Sequence, residues 1–217
     1  LWIYSSQKGD YLEPLSDQLV CANALLDSLD YNKVFKGQIH PGAVDAVVGN
    51  PPYIGEKGNK EIFQEVKNTE FGKRFYQGKM DYFYFFFHKT IDLLRNDGGA
   101  GLVSTNYFGT ALGAKNLRTD LQKRVSITKI INFNNLKIFK GALGQHNQVT
   151  FFKKGYQGSK SCEIFYASKN GPCSNEILVS LVGGDKEFGK HQKLHNEKLY
   201  DGDELYIRIN AEDSGHA

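Results

Sequence analysis

The stretch that most limits what this chain can become is Asp45-Ala46-Val47-Val48-Gly49-Asn50-Pro51-Pro52-Tyr53. Val44 to Val48 is short, valine-rich and nearly charge-free after Asp45, which is the pattern of a buried strand. Gly49 ends the run. Two successive prolines then fix φ, and each biases the residue before it away from helix. Asn50 is therefore held extended where the strand ends, and Tyr53 projects from a stiff base. The prolines lack N–H groups but keep carbonyl acceptors.

A side-chain amide oxygen from Asn50 and a main-chain carbonyl from Pro51 give two acceptors side by side. Such a pair suits an –NH2 group that must donate both hydrogens. Holding those hydrogens takes the nitrogen out of conjugation with its ring and turns its lone pair toward an electrophile. Tyr53 offers a flat face for a planar ring. The fitting substrate is an exocyclic amine on a heteroaromatic base, and the fitting reaction is alkyl transfer to it. No general base has to act first, because the amine proton becomes acidic only once the nitrogen is alkylated. An ordinary strand-to-loop turn uses the same residue types.

The Asn-Pro-Pro-Tyr turn behind its strand resembles the catalytic motif of the N6-adenine DNA methyltransferases, as in type II restriction-modification enzymes. The resemblance implies an α/β chain: part of a doubly wound, Rossmann-like methyltransferase sheet, followed by the start of a second region. It implies S-adenosylmethionine as cofactor and double-stranded DNA with a flipped adenine as partner. By this likeness Asn50, Pro51, Pro52 and Tyr53 are catalytic, and no metal is involved. The likeness runs over roughly residues 1–155, the expected catalytic region. Residues 156–217, after the Lys-Gly-Tyr-Gln-Gly-Ser-Lys run, are expected to lead toward a DNA-recognition domain.

Further matches are ones of order and spacing. Leu1 to Gly9 reads as the tail of an apolar helix and a loop, and Gln18 to Cys21 as a short strand. Asn23 falls where the family places a polar contact to the cofactor's adenine; a turn cap is the other reading. Ile54 to Lys79, rich in Gly and Lys, reads equally as a solvated loop or as a flap that meets phosphates. Asp81 to Arg95 is the clearest helix, with Phe83, Phe87, Ile91 and Leu94 at helical steps. Asn96-Asp97-Gly98-Gly99 is expected to stop it, ahead of a strand over Gly101 to Ser104. The resemblance sets the start of that helix beside the cofactor and makes Asp81 a cofactor-binding residue. Ala114 to Val125 reads as a helix, and Ile127 to Phe133 and Gln148 to Phe152 as strands. Phe139 matches the family's second stacking residue, on the face of the base opposite Tyr53; a core Phe is the alternative. Beyond the boundary, Ser161 to Ala167 reads as a strand, Asn175 to Val182 as a helix and Gly183 to Lys193 as loop. Leu199 to Ile207 reads as a turn into a last strand.

The family's aromatic-x-Gly-x-Gly cofactor motif does not occur between Leu1 and Asp45. That glycine turn lets the backbone approach the cofactor. We therefore expect the motif upstream of Leu1, an incomplete sheet with an open edge beside Val44 to Val48, association through that edge, and weak or no cofactor binding by this piece alone.

A length of 217 residues allows a substantial core, and a net charge of +3 permits a nucleic-acid partner without demanding one. The mean hydropathy of −0.46 suits a water-soluble chain. Cys21, Cys162 and Cys173 show no zinc spacing and no disulfide framework, which fits a reduced, cytoplasmic protein. No signal peptide or membrane-spanning run is evident, so no membrane partner is expected. Methyltransferases acting on RNA bases or protein glutamine share the turn, and a non-catalytic nucleic-acid-binding fragment is the reading from another class.

Overall fold

The computed structural model describes residues 19, 21–26, 31–37, 39–139, 146–185 and 187–207. Among these the strands are β1 (Val44–Gly49), β2 (Leu94–Thr105), β3 (Val125–Asn132), β4 (Leu136–Lys137), β5 (Asn147–Lys154), β6 (Ser161–Ala167), β7 (Gly171–Pro172), β8 (Gly189–His195), β9 (Tyr200–Asp201) and β10 (Tyr206–Ile207). The α-helices are α1 (Tyr31–Val34), α2 (Lys60–Lys67), α3 (Glu70–Phe75), α4 (Phe83–Leu93), α5 (Lys115–Arg124) and α6 (Asn175–Gly183). A mixed six-stranded sheet runs in the order β1-β2-β5-β3-β6-β8. β1 lies parallel to β2, β5 antiparallel to both β2 and β3, and β6 parallel to β3. The carboxyl ends of β1, β2 and β3 therefore share one rim of the sheet.

Helices cover both faces. The larger core joins Phe83, Phe85, Phe87 and Ile91 of α4, and Leu117 and Leu121 of α5, to Leu102, Ile130 and Phe152 of the sheet. A smaller cluster on Ile131 and Phe133 takes Leu181 and Ile177 from α6. The expected helix around Phe83 and Phe87 is thus present, with Phe83, Tyr84, Phe85, Phe87, His88, Thr90 and Ile91 buried. A network of hydrogen bonds and ion pairs ties it to α5. His88 Nδ1 lies 2.7 Å from Asp120 Oδ2, and Arg124 donates to Asp92 Oδ1 at 2.6 Å and reaches Asp120 at 3.2 Å.

Several expectations are corrected. The helix ends at Leu93, and β2 starts at Leu94, so Asn96 to Gly99 does not separate helix from strand. It is absorbed as an irregularity: the register jumps from Val44↔Leu94 to Ala46↔Gly99. Asp97 takes a left-handed φ of 61°, and a Cβ on Gly98 would stand 2.9 Å from the Arg95 carbonyl. Residues 54–79 are not a loop, because α2 and α3 fold there and bury Phe63, Val66, Gly72 and Phe75. Within the expected loop over Gly183 to Lys193, β8 pairs with β6 instead. Leu19 and Cys21 are outside any strand; the rest of the expected strand at 18–21 and the expected helix at 1–9 lie outside the described residues.

Past residue 155 the chain stays on the same sheet through β6 and β8. The fully buried Arg118 then ties the 199–207 segment back to α5. Its guanidinium donates to the carbonyls of Glu204, Phe108 and Ala111 at 2.9, 2.8 and 2.7 Å, beneath the Tyr206 ring. Among the described residues, no helix is long and apolar enough to cross a membrane.

Candidate active site

β1 delivers Asn50 to the carboxyl rim of the sheet, where crevices of open α/β sheets take their ligands. Pro51 is buried, whereas Asn50 and Pro52 are exposed. The Tyr53 hydroxyl donates to Asn50 Oδ1 at 2.6 Å, which fixes the orientation of the amide. The Tyr53 ring is half-buried and meets Phe83 edge-on, with centroids 5.9 Å apart. Burial pushes its phenol up to about 12, so the hydroxyl remains a donor throughout the physiological range.

The next residues fold back onto the approach to α4. Ile54 O accepts from Tyr82 N at 2.8 Å, Gly55 and Asp81 form an antiparallel bridge, and Glu56 N donates to Met80 O at 3.0 Å. This pairing brings Asp81 beside the turn. Its carboxyl is half-buried; burial raises its pKa, and a hydrogen bond with Tyr84 partly offsets the rise. Asn23 reaches the same neighbourhood through Tyr82, whose hydroxyl its side chain hydrogen-bonds. Its Oδ1 also accepts from Leu25 N at 3.1 Å, so it caps a turn as well. Phe139 is half-buried, two residues past β4, on the same rim but beyond β2 and β5. The ring packed on Tyr53 is that of Phe83.

Beside the turn lies a cavity of about 660 Å³ lined by Gly55, Glu56, Lys57, Lys60, Gly78, Lys79, Met80 and Asp81. Glu56 braces it, accepting from the Tyr76 hydroxyl at 2.5 Å and from Lys79 N at 2.6 Å. Sequence reasoning missed Glu56 because its partners lie far along the chain. The pairing of 54–56 with 80–82 was missed for the same reason. The half-buried Asp81 at the cavity wall fits a cationic group, and the Asn23 amide fits a polar ring edge. These are the two chemistries S-adenosylmethionine presents. Among the described residues, no group of three or more His, Cys, Asp or Glu side chains is placed to hold a metal ion.

A mixed sheet flanked by helices, with the polar turn on the carboxyl rim of β1, defines a Rossmann-like, class I methyltransferase fold. The chain belongs to the Eco57I restriction-modification methylase family, which it matches over residues 4–139. It is 32% identical over 140 residues to the type II methyltransferase M.HincII of Haemophilus influenzae, covering 63% of this chain and 27% of that protein. To the type II restriction enzyme and methyltransferase RM.Eco57I of Escherichia coli it is 27% identical over 140 residues, covering 59% of this chain and 14% of that protein. The chain thus spans about a quarter or less of the length of these relatives. Among solved structures, the type IIG restriction endonuclease BpuSI shares the fold, with a TM-score of 0.51, 16% identity, 81% of this chain and 21% of that chain covered.

Proposed function

We propose that this chain carries the methyl-transferring region of a DNA methyltransferase of a restriction-modification system, which methylates N6 of an adenine flipped out of double-stranded DNA. The observation that carries the reading is the rigid Asn50-Pro51-Pro52-Tyr53 turn on the sheet rim, with Asn50 Oδ1 held 2.6 Å from the Tyr53 hydroxyl. Family membership and the type II methyltransferase relatives support it. Residues 156–217 would lead on toward the DNA-reading part of the protein.

When bound, S-adenosylmethionine supplies an electrophilic methyl on a sulfonium. Asp81 would hold a cationic part of the cofactor and Asn23 its adenine edge. The target adenine would stack on Tyr53, with Phe139 closing the opposite face. Asn50 Oδ1 has two lone pairs; Tyr53 takes one, and the other accepts an amine hydrogen. The Pro51 carbonyl takes the second amine hydrogen. Held this way, the N6 lone pair points out of the ring plane toward the methyl. The nitrogen would gain the methyl as the methyl–sulfur bond breaks and its electron pair returns to sulfur as a neutral thioether, and the surplus proton, acidic only then, would pass to solvent. The acceptors act on charge that develops during transfer, so their effect falls on turnover rather than on binding.

The test is Asn50→Ala in the full-length protein. Methyl transfer should be abolished while DNA affinity stays nearly intact, because Asn50 meets only the reacting amine. Unchanged turnover would rule out its role. Mass spectrometry of the wild-type product checks the substrate: N6-methyladenine in DNA is expected, and methylated glutamine or RNA instead would overturn the assignment.

A further inference from the structure

The cavity beside the turn holds a charge pattern that methyl transfer itself does not use. Lys57, Lys60 and Lys79 all line it, and all three are exposed. Among the described residues four lysines hold carboxylates, Lys73 with Glu70, Lys115 with Glu204, Lys129 with Glu163 and Lys169 with Glu187, while others such as Lys123, Lys153 and Lys160 do not. Lys57, Lys60 and Lys79 have no such partner among the described residues. The cavity's two acids, Glu56 and Asp81, are outnumbered by the three lysines and form no ion pair with them among the described residues. Glu56 spends both carboxylate oxygens on Tyr76 and on the Lys79 backbone N–H. Asp81 sits half-buried against Gly55 and Tyr84.

The positions are also costly ones for lysine. Lys60 opens α2, where the helix dipole disfavours a cation. Lys79 takes a left-handed φ of 64°, rarely adopted by a side-chain-bearing residue. The wall they line begins two residues after Tyr53 and is fixed to the turn by the Gly55–Asp81 bridge.

We propose that Lys57, Lys60 and Lys79 form a phosphate clamp that grips the DNA backbone beside the flipped nucleotide. The inference rests on the DNA methyltransferase reading and deepens it. A flipped base leaves its flanking phosphates at the mouth of its pocket, and unpaired lysines there neutralise them and release counterions. Phosphate contacts position the strand and carry no sequence information. The clamp therefore acts on every DNA sequence alike and leaves the choice of site to other parts of the protein.

The test is the salt dependence of DNA binding by the full-length protein carrying Lys57→Gln, Lys60→Gln and Lys79→Gln together. Each lost phosphate contact should make the slope of log affinity against log salt shallower by about 0.9, so by about 2.7 for the triple variant. The fall in affinity should be the same for cognate and non-cognate duplexes. The matching lysine-to-arginine variant should keep the wild-type slope. Lys153→Gln with Lys160→Gln, in a cavity at the opposite end of the strands, should keep it as well. An unchanged slope in the triple variant overturns the clamp. Weakened S-adenosylmethionine binding with an unchanged slope also overturns it and assigns the lysines to the cofactor's carboxylate. Asn50→Ala separates the two proposals. If that variant is inactive and the slope stands, only the clamp fails; if it stays active, the catalytic reading fails first.

Discussion

On the proposed reading Tyr53 has two separable duties, and its ring and hydroxyl can be removed one at a time. Tyr53→Phe keeps the stacking face but frees the Asn50 amide to rotate. One hydrogen bond that orders a catalytic acceptor is worth about 1 kcal/mol, so kcat should fall roughly five- to tenfold with KM for DNA little changed. Tyr53→Ala removes the face as well; base–aromatic stacking of about 1–3 kcal/mol is lost, and DNA affinity should drop in addition. Steady-state kinetics on both variants checks the split. His88 offers a residue-scale test of the fold. Burial drives its pKa below the ordinary 6.5, against the opposing pull of Asp120, so it is neutral at pH 7. The unfolded chain takes up a proton near pH 6.5 that the native state resists, so stability is present above that pH and is lost as the pH falls below it. Thermal melts should show a Tm falling from pH 7 to 5, and less steeply in His88→Asn, which cannot titrate. Equal slopes would show that His88 does not set the dependence.

The elements meet most tightly where one backbone lies against another. A Cβ on Gly113 would stand 2.0 Å from the Lys79 carbonyl, and the turn around Lys79 is paired to Gly55 and Glu56. Gly113→Ala must push the 79–81 turn away from 112–114, at a cost of about 1–3 kcal/mol or more. In the full-length protein it should lower Tm by several degrees and, on the proposed reading, weaken cofactor binding through the displaced Asp81. An unmoved Tm would mean that the two segments do not press together. No sequence pattern marks this contact, and that explains what could and could not be read in advance. β1 as a strand, the turn after it and α4 were legible because each states itself locally, through a valine run, two prolines, or aromatics at helical spacing; the burial expected of Val44 to Val48 is not found, since no residue of β1 is buried. α2 and α3 were not, because Phe63 and Val66, and Phe71 and Phe75, are short pairs among lysines and glycines. The irregular start of β2 was hidden because Asn-Asp-Gly-Gly reads as a stop, whereas the sheet pairs on both sides of it and absorbs it. In the candidate site, Asn50 and Tyr53 could be read from the turn alone. Asp81 and Asn23 came only through resemblance, and their route to the turn runs through pairings between distant segments.

For the whole molecule the informative feature is the outer side of β1. Among the described residues, β1 pairs with β2 alone and closes one end of the sheet order. Val48 is 85% exposed there, although a parallel strand of this composition normally lies buried. An open parallel edge carrying an apolar side chain is a template for another strand. The 1–45 stretch also contains no aromatic-x-Gly-x-Gly run with which to seat the cofactor's methionine end. Two linked outcomes follow for the isolated 217-residue chain. Sedimentation velocity should show association that rises with concentration, and Val48→Lys should suppress it by placing a charge on the edge without disturbing the core. Calorimetric titration with S-adenosylmethionine should give little or no heat, in the mutant as in the wild type, because blocking the edge does not supply a glycine turn. Micromolar binding by the isolated chain would show that Asp81 and Asn23 suffice to hold the cofactor. A monomer at all concentrations would show that this edge is already satisfied by residues of the chain itself.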